Sequence, residues 1–162
     1  MTKHIMNIAE VELQPRPPQY APTGAAAERF EARVGMIASK IGAKQLGYNL
    51  TAVPPGKRAY PFHSHRVQEE MFFVIEGRGE VRIGAETFPI RAGDIIACPP
   101  GGPETAHQIV NTGSTELRYL AVSTKAAAEV CEYPDSGKIA GFTENMRFVY
   151  RGDQQVGYWD GE

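Results

Sequence analysis

Gly56-Lys57-Arg58-Ala59-Tyr60-Pro61-Phe62-His63-Ser64-His65-Arg66-Val67-Gln68-Glu69-Glu70, followed by a turn at Gly77, decides how this chain reads. His63 and His65 stand two apart, and on an extended strand residues two apart face the same side, so both imidazoles reach one point. Glu70 offers an oxygen close by. The chain has four histidines. His107, beyond a second segment punctuated by glycine and proline, is the third candidate ligand, and His4 stands outside the group. Imidazole is the commonest borderline metal ligand, and converging imidazoles are otherwise costly to bury. The pattern therefore points to a metal site written on β-structure. Glu69 competes with Glu70 for the carboxylate role. Parity prefers Glu70, which shares a face with Phe72 and Val74, while Glu69, Met71, Phe73 and Ile75 share the other.

Around this segment the chain reads as one all-β domain. At 162 residues it is long enough for a single sizeable core. Hydrophobic content of 42 % with 22 % charged residues and a net charge of -2 is that of an ordinary globular protein and gives no electrostatic reason to propose nucleic acid. No apolar run approaches the roughly 18 to 20 residues that span a bilayer, and Met1 to Asn7 lacks the apolar stretch of a secretory signal, so no membrane partner and a cytoplasmic location are expected. Cys98 and Cys131 read as reduced thiols, because nothing around them resembles a cysteine-dense secreted framework.

Short β-prone runs at 47–53, 70–76, 80–83, 86–89, 94–98, 107–111 and 117–123 alternate with turn chemistry, as in a barrel or sandwich. Gly77-Arg78-Gly79 and Gly84-Ala85 read as hairpin turns. Residues 1–44 form an N-terminal extension, 45–124 the β core and 125–162 a C-terminal extension. The proline-rich stretch Gln14 to Pro22 reads as an extended arm lying on something. Residues 25–34 read as a short helix capped by Thr23 and stopped near Gly35. Residues 125–130 read as a helical turn, 131–138 as a polar stretch, 147–150 as a late strand, and Trp159 as an anchor that docks the tail.

Gly56, His63, His65, Glu70 and Gly77 resemble the first motif of the cupin superfamily, G-x5-H-x-H-x3,4-E-x6-G, with six residues instead of five between Gly56 and His63. Gly93, Pro99, Gly101, His107 and Asn111 resemble the second, G-x5-P-x-G-x2-H-x3-N, with an insertion, Gly102 to Ala106, before the histidine. The resemblance implies a single cupin barrel, a double-stranded β-helix or jelly roll with N- and C-terminal extensions. It also implies one divalent metal ion held inside through His63, His65, Glu70 and His107.

Three neutral imidazoles and one carboxylate suit Mn(II), Fe(II), Ni(II), Co(II) or Zn(II) and leave positions open for an anionic, oxygen-rich small molecule. Glu104, in the insertion beside His107, is the candidate general base; a loop carboxylate in water is the alternative. Gln68 and Gln108 could orient a substrate or sit on the surface. Tyr60 and Phe62 wall the barrel mouth or simply pack, and Lys57 and Arg58 read best as a solvated turn. Apolar residues on the outer face of 70–75 (Met71, Phe73 and Ile75) must be covered by an extension or by a second subunit, which favours a homodimer. Two classes of function follow: a small metalloenzyme of dioxygenase, isomerase or decarboxylase type, or a non-catalytic small-molecule or metal-binding protein.

Overall fold

A computed structural model describes residues 4–152 and 157–161. The described secondary structure is strand with short 3-10 turns and no α-helix. Among the described residues the strands form three antiparallel sheets. The largest runs in the order β1 (Gln14–Pro15), β2 (Arg33–Met36), β3 (Leu46–Val53), β10 (Leu117–Thr124), β5 (Glu70–Glu76), β8 (Ile95–Cys98). A second is β7 (Glu86–Arg91), β6 (Arg78–Ile83), β9 (His107–Val110), and a third is β13 (Arg147–Arg151), β12 (Lys138–Thr143), β11 (Ala128–Tyr133), β4 (Ser64–His65). Neighbours that are distant in sequence, such as β5 between β10 and β8, give the jelly-roll connectivity that the fold-class reading anticipated.

The core follows from strand parity. Phe72 and Val74 of β5 are buried at 6 % and 0 % exposure against Val81, Ile109, Leu117 and Tyr119, so one face of the large sheet packs on one face of the second. Ile75, on the opposite face of β5, joins Val11, Ile37, Leu50 and Leu120 in a second apolar cluster. Part of the outer face is thus covered by the chain's own N-terminal segment. Phe73 and Ile95, paired in register across β5 and β8, are left exposed.

Several expectations for the connections need correction. Gly77 is not a hairpin turn, because β5 and β6 lie in different sheets. It is the corner between them, with φ of 85° and Glu116 O only 2.6 Å from where a Cβ would stand, so glycine alone fits. Gly84-Ala85 does close a two-residue hairpin, Ile83 facing Glu86. The helix expected at 25–34 is absent: a 3-10 turn spans Gly24–Ala26, Thr23 makes no side-chain cap, and Arg33–Met36 is strand. Pairing of Val34 with Thr51 on β3 recruits the backbone that local propensity would have coiled. The helical turn expected at 125–130 is likewise overridden, since β11 starts at Ala128 and pairs with β4 and β12. Cys131 lies buried in that strand, not in a polar loop. The late strand exists as β13, and it adds to a sheet edge as expected, that of the C-terminal sheet. Trp159 is 76 % exposed and touches Tyr158 edge-on at 4.7 Å, so it does not anchor the described tail. Residues 153–156 and 162 of that tail lie outside the described residues.

The proline-rich arm lies on the barrel as expected. Arg16 donates to Ala59 O at 2.6 Å with its guanidinium over the Tyr60 ring, and Lys57 donates to Glu28 O at 2.8 Å from the barrel side. Cys98 and Cys131 are free and buried. No helix among the described residues is long and apolar enough to cross a membrane.

Candidate metal centre

Four side chains meet inside the barrel. His63 is bridged to His107 across the sheets, His65 sits on β4, Glu70 opens β5 on the face that carries Phe72, and His107 opens β9. One ligand atom from each of the four lies within 4.8 Å of every other. Glu70 Oε2 is the hub, at 2.9 Å from His107 Nε2, 3.3 Å from His65 Nε2 and 4.0 Å from His63 Nε2. Donors bound at about 2.1 Å to one six-coordinate ion stand about 3 to 4 Å apart, so this spacing fits a single ion. Glu69 is exposed on the other face.

The orientation of the imidazoles is set from outside the cluster. His63 Nδ1 sits 2.8 Å from Pro61 O, His107 Nδ1 3.4 Å from Thr105 O, and His65 Nδ1 3.3 Å from Cys131 Sγ. The Pro61 and Thr105 carbonyls can only accept, so each takes an Nδ1–H and leaves Nε2 of His63 and His107 as a lone-pair donor turned inward. His65 Nε2 is buried without an aligned hydrogen-bond partner, an orphan that a cation would satisfy. Phe72 and Tyr119, edge to face at 5.6 Å, form an apolar floor, and the Phe72 ring lies 5.6 Å from His107.

The protonation states reflect crowding. Burial, then the charges of His107 and His65, pushes His63 down to about 4. Burial also opposes charge on His65, but the neighbouring Cys131 Sγ and Glu70 carboxylate outweigh it and raise His65 to about 10. Burial opposes charge on Glu70 as well; the neighbouring His107 and His65 imidazoles overcome it and hold the carboxylate well below its ordinary range.

Glu104 stands apart from the four. It lies exposed on a 3-10 turn, Pro103–Thr105, and its carboxylate accepts the Gly102 N–H at 2.8 Å, a bond that lowers its pKa. Gln108 donates to Tyr60 O, bracing the segment before His63 and not facing the cluster. Tyr60 and Tyr133 do border it: the Tyr133 ring stacks on His63 at 5.9 Å and Tyr60 lies 6.3 Å from it. His4 is exposed.

Sequence reasoning missed the supports supplied by β11. Glu129, 5 % exposed, accepts the N–H groups of Arg66, Val67 and Gln68, the turn between the paired histidines and Glu70, and lies 3.5 Å from His65 Nδ1. Cys131 and Tyr133 alternate with it on the same strand. No spacing signal links these residues to a site some sixty positions earlier.

Residues 49–123 match the family described as the cupin domain. The chain is 37 % identical over 71 residues to an uncharacterized protein of Methanocaldococcus jannaschii, a match covering 44 % of this chain and 54 % of that one. It is 34 % identical over 70 residues to an oxalate-binding protein of Thermotoga maritima, covering 43 % and 54 %. The chain thus spans about half the length of the curated relatives it matches. Among solved structures, a sugar phosphate isomerase of the cupin superfamily from Silicibacter pomeroyi superposes with a TM-score of 0.81 at 24 % identity, covering 96 % of this chain and 98 % of that one. Identity that low speaks for the fold alone. Both histidine motifs are thus delivered to one point inside a jelly-roll barrel, and both lie within the span, residues 49–123, that matches the cupin domain; these findings support the cupin superfamily for this chain.

Proposed function

We propose that this chain is a small metalloenzyme that holds one divalent ion through His63 Nε2, His65 Nε2, His107 Nε2 and Glu70, and acts there on a small oxygen-rich anion. The observation that carries the reading is the convergence of these donors within 4.8 Å, with every Nδ1 occupied from outside. The donor set suits Mn, Fe, Ni, Co or Zn, and leaves the ion a net charge of about +1 with about two positions free in six-coordination. An ion so held supplies Lewis acidity for isomerase or decarboxylase chemistry, or, if redox-active, a meeting point for oxygen and substrate in dioxygenase chemistry. The protein's own residues exclude water through the Phe72 and Tyr119 floor and narrow the approach to His63 with the Tyr133 ring.

Glu104 is the proposed general base on different terms. Its carboxylate rests on the Gly102 N–H, so the role requires the 101–105 turn to rearrange. Unchanged kcat in Glu104→Gln would remove it.

A non-catalytic binder is the second reading. It is favoured by that placement of Glu104, which leaves the cluster without a free carboxylate beside it, and by the oxalate-binding relative. We further propose a homodimer joined through the exposed Phe73 and Ile95 face, and residence in the cytoplasm, where the free Cys98 and Cys131 would stay reduced.

Metal analysis of the purified chain, beside His63→Ala and His107→Ala, tests the centre. One equivalent of metal in the parent and a loss of most of it in each variant, with the barrel still folded, is expected. Full metal content in either variant removes that residue from the ligand set. Oxygen uptake and product formation with oxalate and small keto and hydroxy acids then separate enzyme from binder: reversible binding without turnover selects the binder.

A further inference from the structure

Apart from the histidine cluster, a groove of about 940 Å³ lies outside the barrel. Its floor is the outer face of the β6, β7 and β9 sheet, and its walls are the N-terminal arm and the C-terminal sheet. Six cations line it, Arg16, Arg29, Arg58, Arg82, Lys138 and Arg147, against two carboxylates, Glu80 and Asp135, an excess of four positive charges in a chain whose net charge is -2.

We infer that this groove binds a small phosphate ester. Asp135 is engaged by Arg82 Nη1, at 3.0 Å from both carboxylate oxygens, and among the described residues the other five cations have no carboxylate partner. Like charges gathered on one concave surface repel, and an anion between them turns that cost into attraction. The cations are also held in place before any ligand arrives. Arg16 lies over Tyr60 at 4.4 Å, Arg82 over Phe62 at 3.7 Å, Lys138 over Tyr133 at 5.1 Å and Arg147 over Tyr20 at 5.7 Å. Stacking on rings limits the rotamer freedom lost on binding. Arg58 adds an independent sign: its Nε is buried without a hydrogen-bond partner, although the residue lines the groove.

Several guanidinium forks around one cavity match the many acceptor oxygens and double charge of a phosphate monoester better than a single carboxylate. The aromatic rings between them offer contact for the organic part of the ester. Walls on both sides and the chain's overall negative charge favour a small molecule over a nucleic-acid strand. The site needs no metal. It borders the cluster through Tyr60, Pro61 and Tyr133, which line the groove and also lie beside His63.

The test is calorimetric titration of metal-free protein with glycerol 3-phosphate, glycerate and a short oligothymidylate. Saturable one-to-one binding of glycerol 3-phosphate is expected, weakened about tenfold or more in Arg29→Ala and in Arg147→Ala, each of which removes one charge-assisted contact. Both residues are exposed, so the variants should fold as the parent does. His107→Ala should leave this binding unchanged. Absence of saturable binding, equal affinity for glycerate, tighter binding of the oligothymidylate, or parental affinity in both arginine variants would each overturn the proposal. Because the protein is metal-free, none of these outcomes depends on whether the histidine centre is correctly assigned.

Discussion

The Glu129 carboxylate accepts the Gln68 N–H at 2.6 Å, reaching from β11 into the turn that separates His65 from Glu70. Through Oε1 it also takes the N–H groups of Arg66 and Val67, at 3.0 and 3.1 Å. Glu129→Ala would leave the Val67 and Gln68 N–H groups unpaired, Arg66 keeping only its bond to Val130 O, and release the turn that sets the distance between two proposed ligands. The expected cost is about 3 kcal/mol, since hydrogen bonds to a charged acceptor are the stronger kind. Urea denaturation should show a lowered midpoint, with metal content falling in parallel, and Glu129→Gln, which keeps one acceptor oxygen, should be milder. An unchanged midpoint in Glu129→Ala would show that the turn holds itself.

His65 gives the metal-free protein a pH dependence of definite sign. Its folded pKa, raised to about 10, lies above the ordinary 6.5. The stabilisation from its protonated form is therefore complete below 6.5 and lost as pH rises toward 10. His63, lowered to about 4, acts oppositely: its contribution is present above 6.5 and lost as pH falls toward 4. Metal-free protein should thus lose stability across the alkaline range, and His65→Gln should flatten that slope. Metal uptake near pH 7 must displace the His65 proton, so calorimetry in buffers of differing ionisation enthalpy should report release of about one proton per ion.

Asn111 is fully buried and completely satisfied. Its Nδ2 donates to Val53 O and Thr115 O, both at 2.8 Å, and its Oδ1 accepts the Gly113 N–H at 2.9 Å. Asn111→Ala leaves three backbone groups without partners and should cost about 3 kcal/mol, read as a drop in Tm. Because Asn111 lies beyond the end of β9, four positions from His107, metal affinity at low temperature should change far less than stability. A large affinity loss with unchanged Tm would contradict this.

Phe73 and Ile95 face one another across β5 and β8 with 37 % and 70 % exposure, on the edge of the large sheet. If this face joins two copies, Ile95→Lys should convert a dimer to a monomer in sedimentation without changing the circular dichroism. A parent chain that sediments as a monomer would rule the dimer out.

The spacing of His63, His65 and Glu70 was legible because strand parity is local: residues two apart share a face wherever the strand goes. Turn residues and short β-prone runs likewise announced a barrel, and His107 four residues before Asn111 marked where the second half of the cluster would arrive. Local rules failed at 25–34 and 125–130. There, pairing of β2 with β3 and of β11 with β4 recruited backbone that would otherwise coil, and burial in a sheet outweighs propensity worth tenths of a kcal/mol per residue. Gly77 was read as a turn, but whether a turn returns to its own sheet or crosses to another depends on which strand pairs next. By itself, then, the amino-acid order determined the barrel, the four convergent residues and the choice of Glu70 over Glu69. Only the tertiary structure decided that Glu129 and Cys131 brace the site and that six cations line one groove. Those relations join residues far apart in the chain, brought together by sheet pairing and by the folding-back of both extensions, and no periodicity encodes such distances.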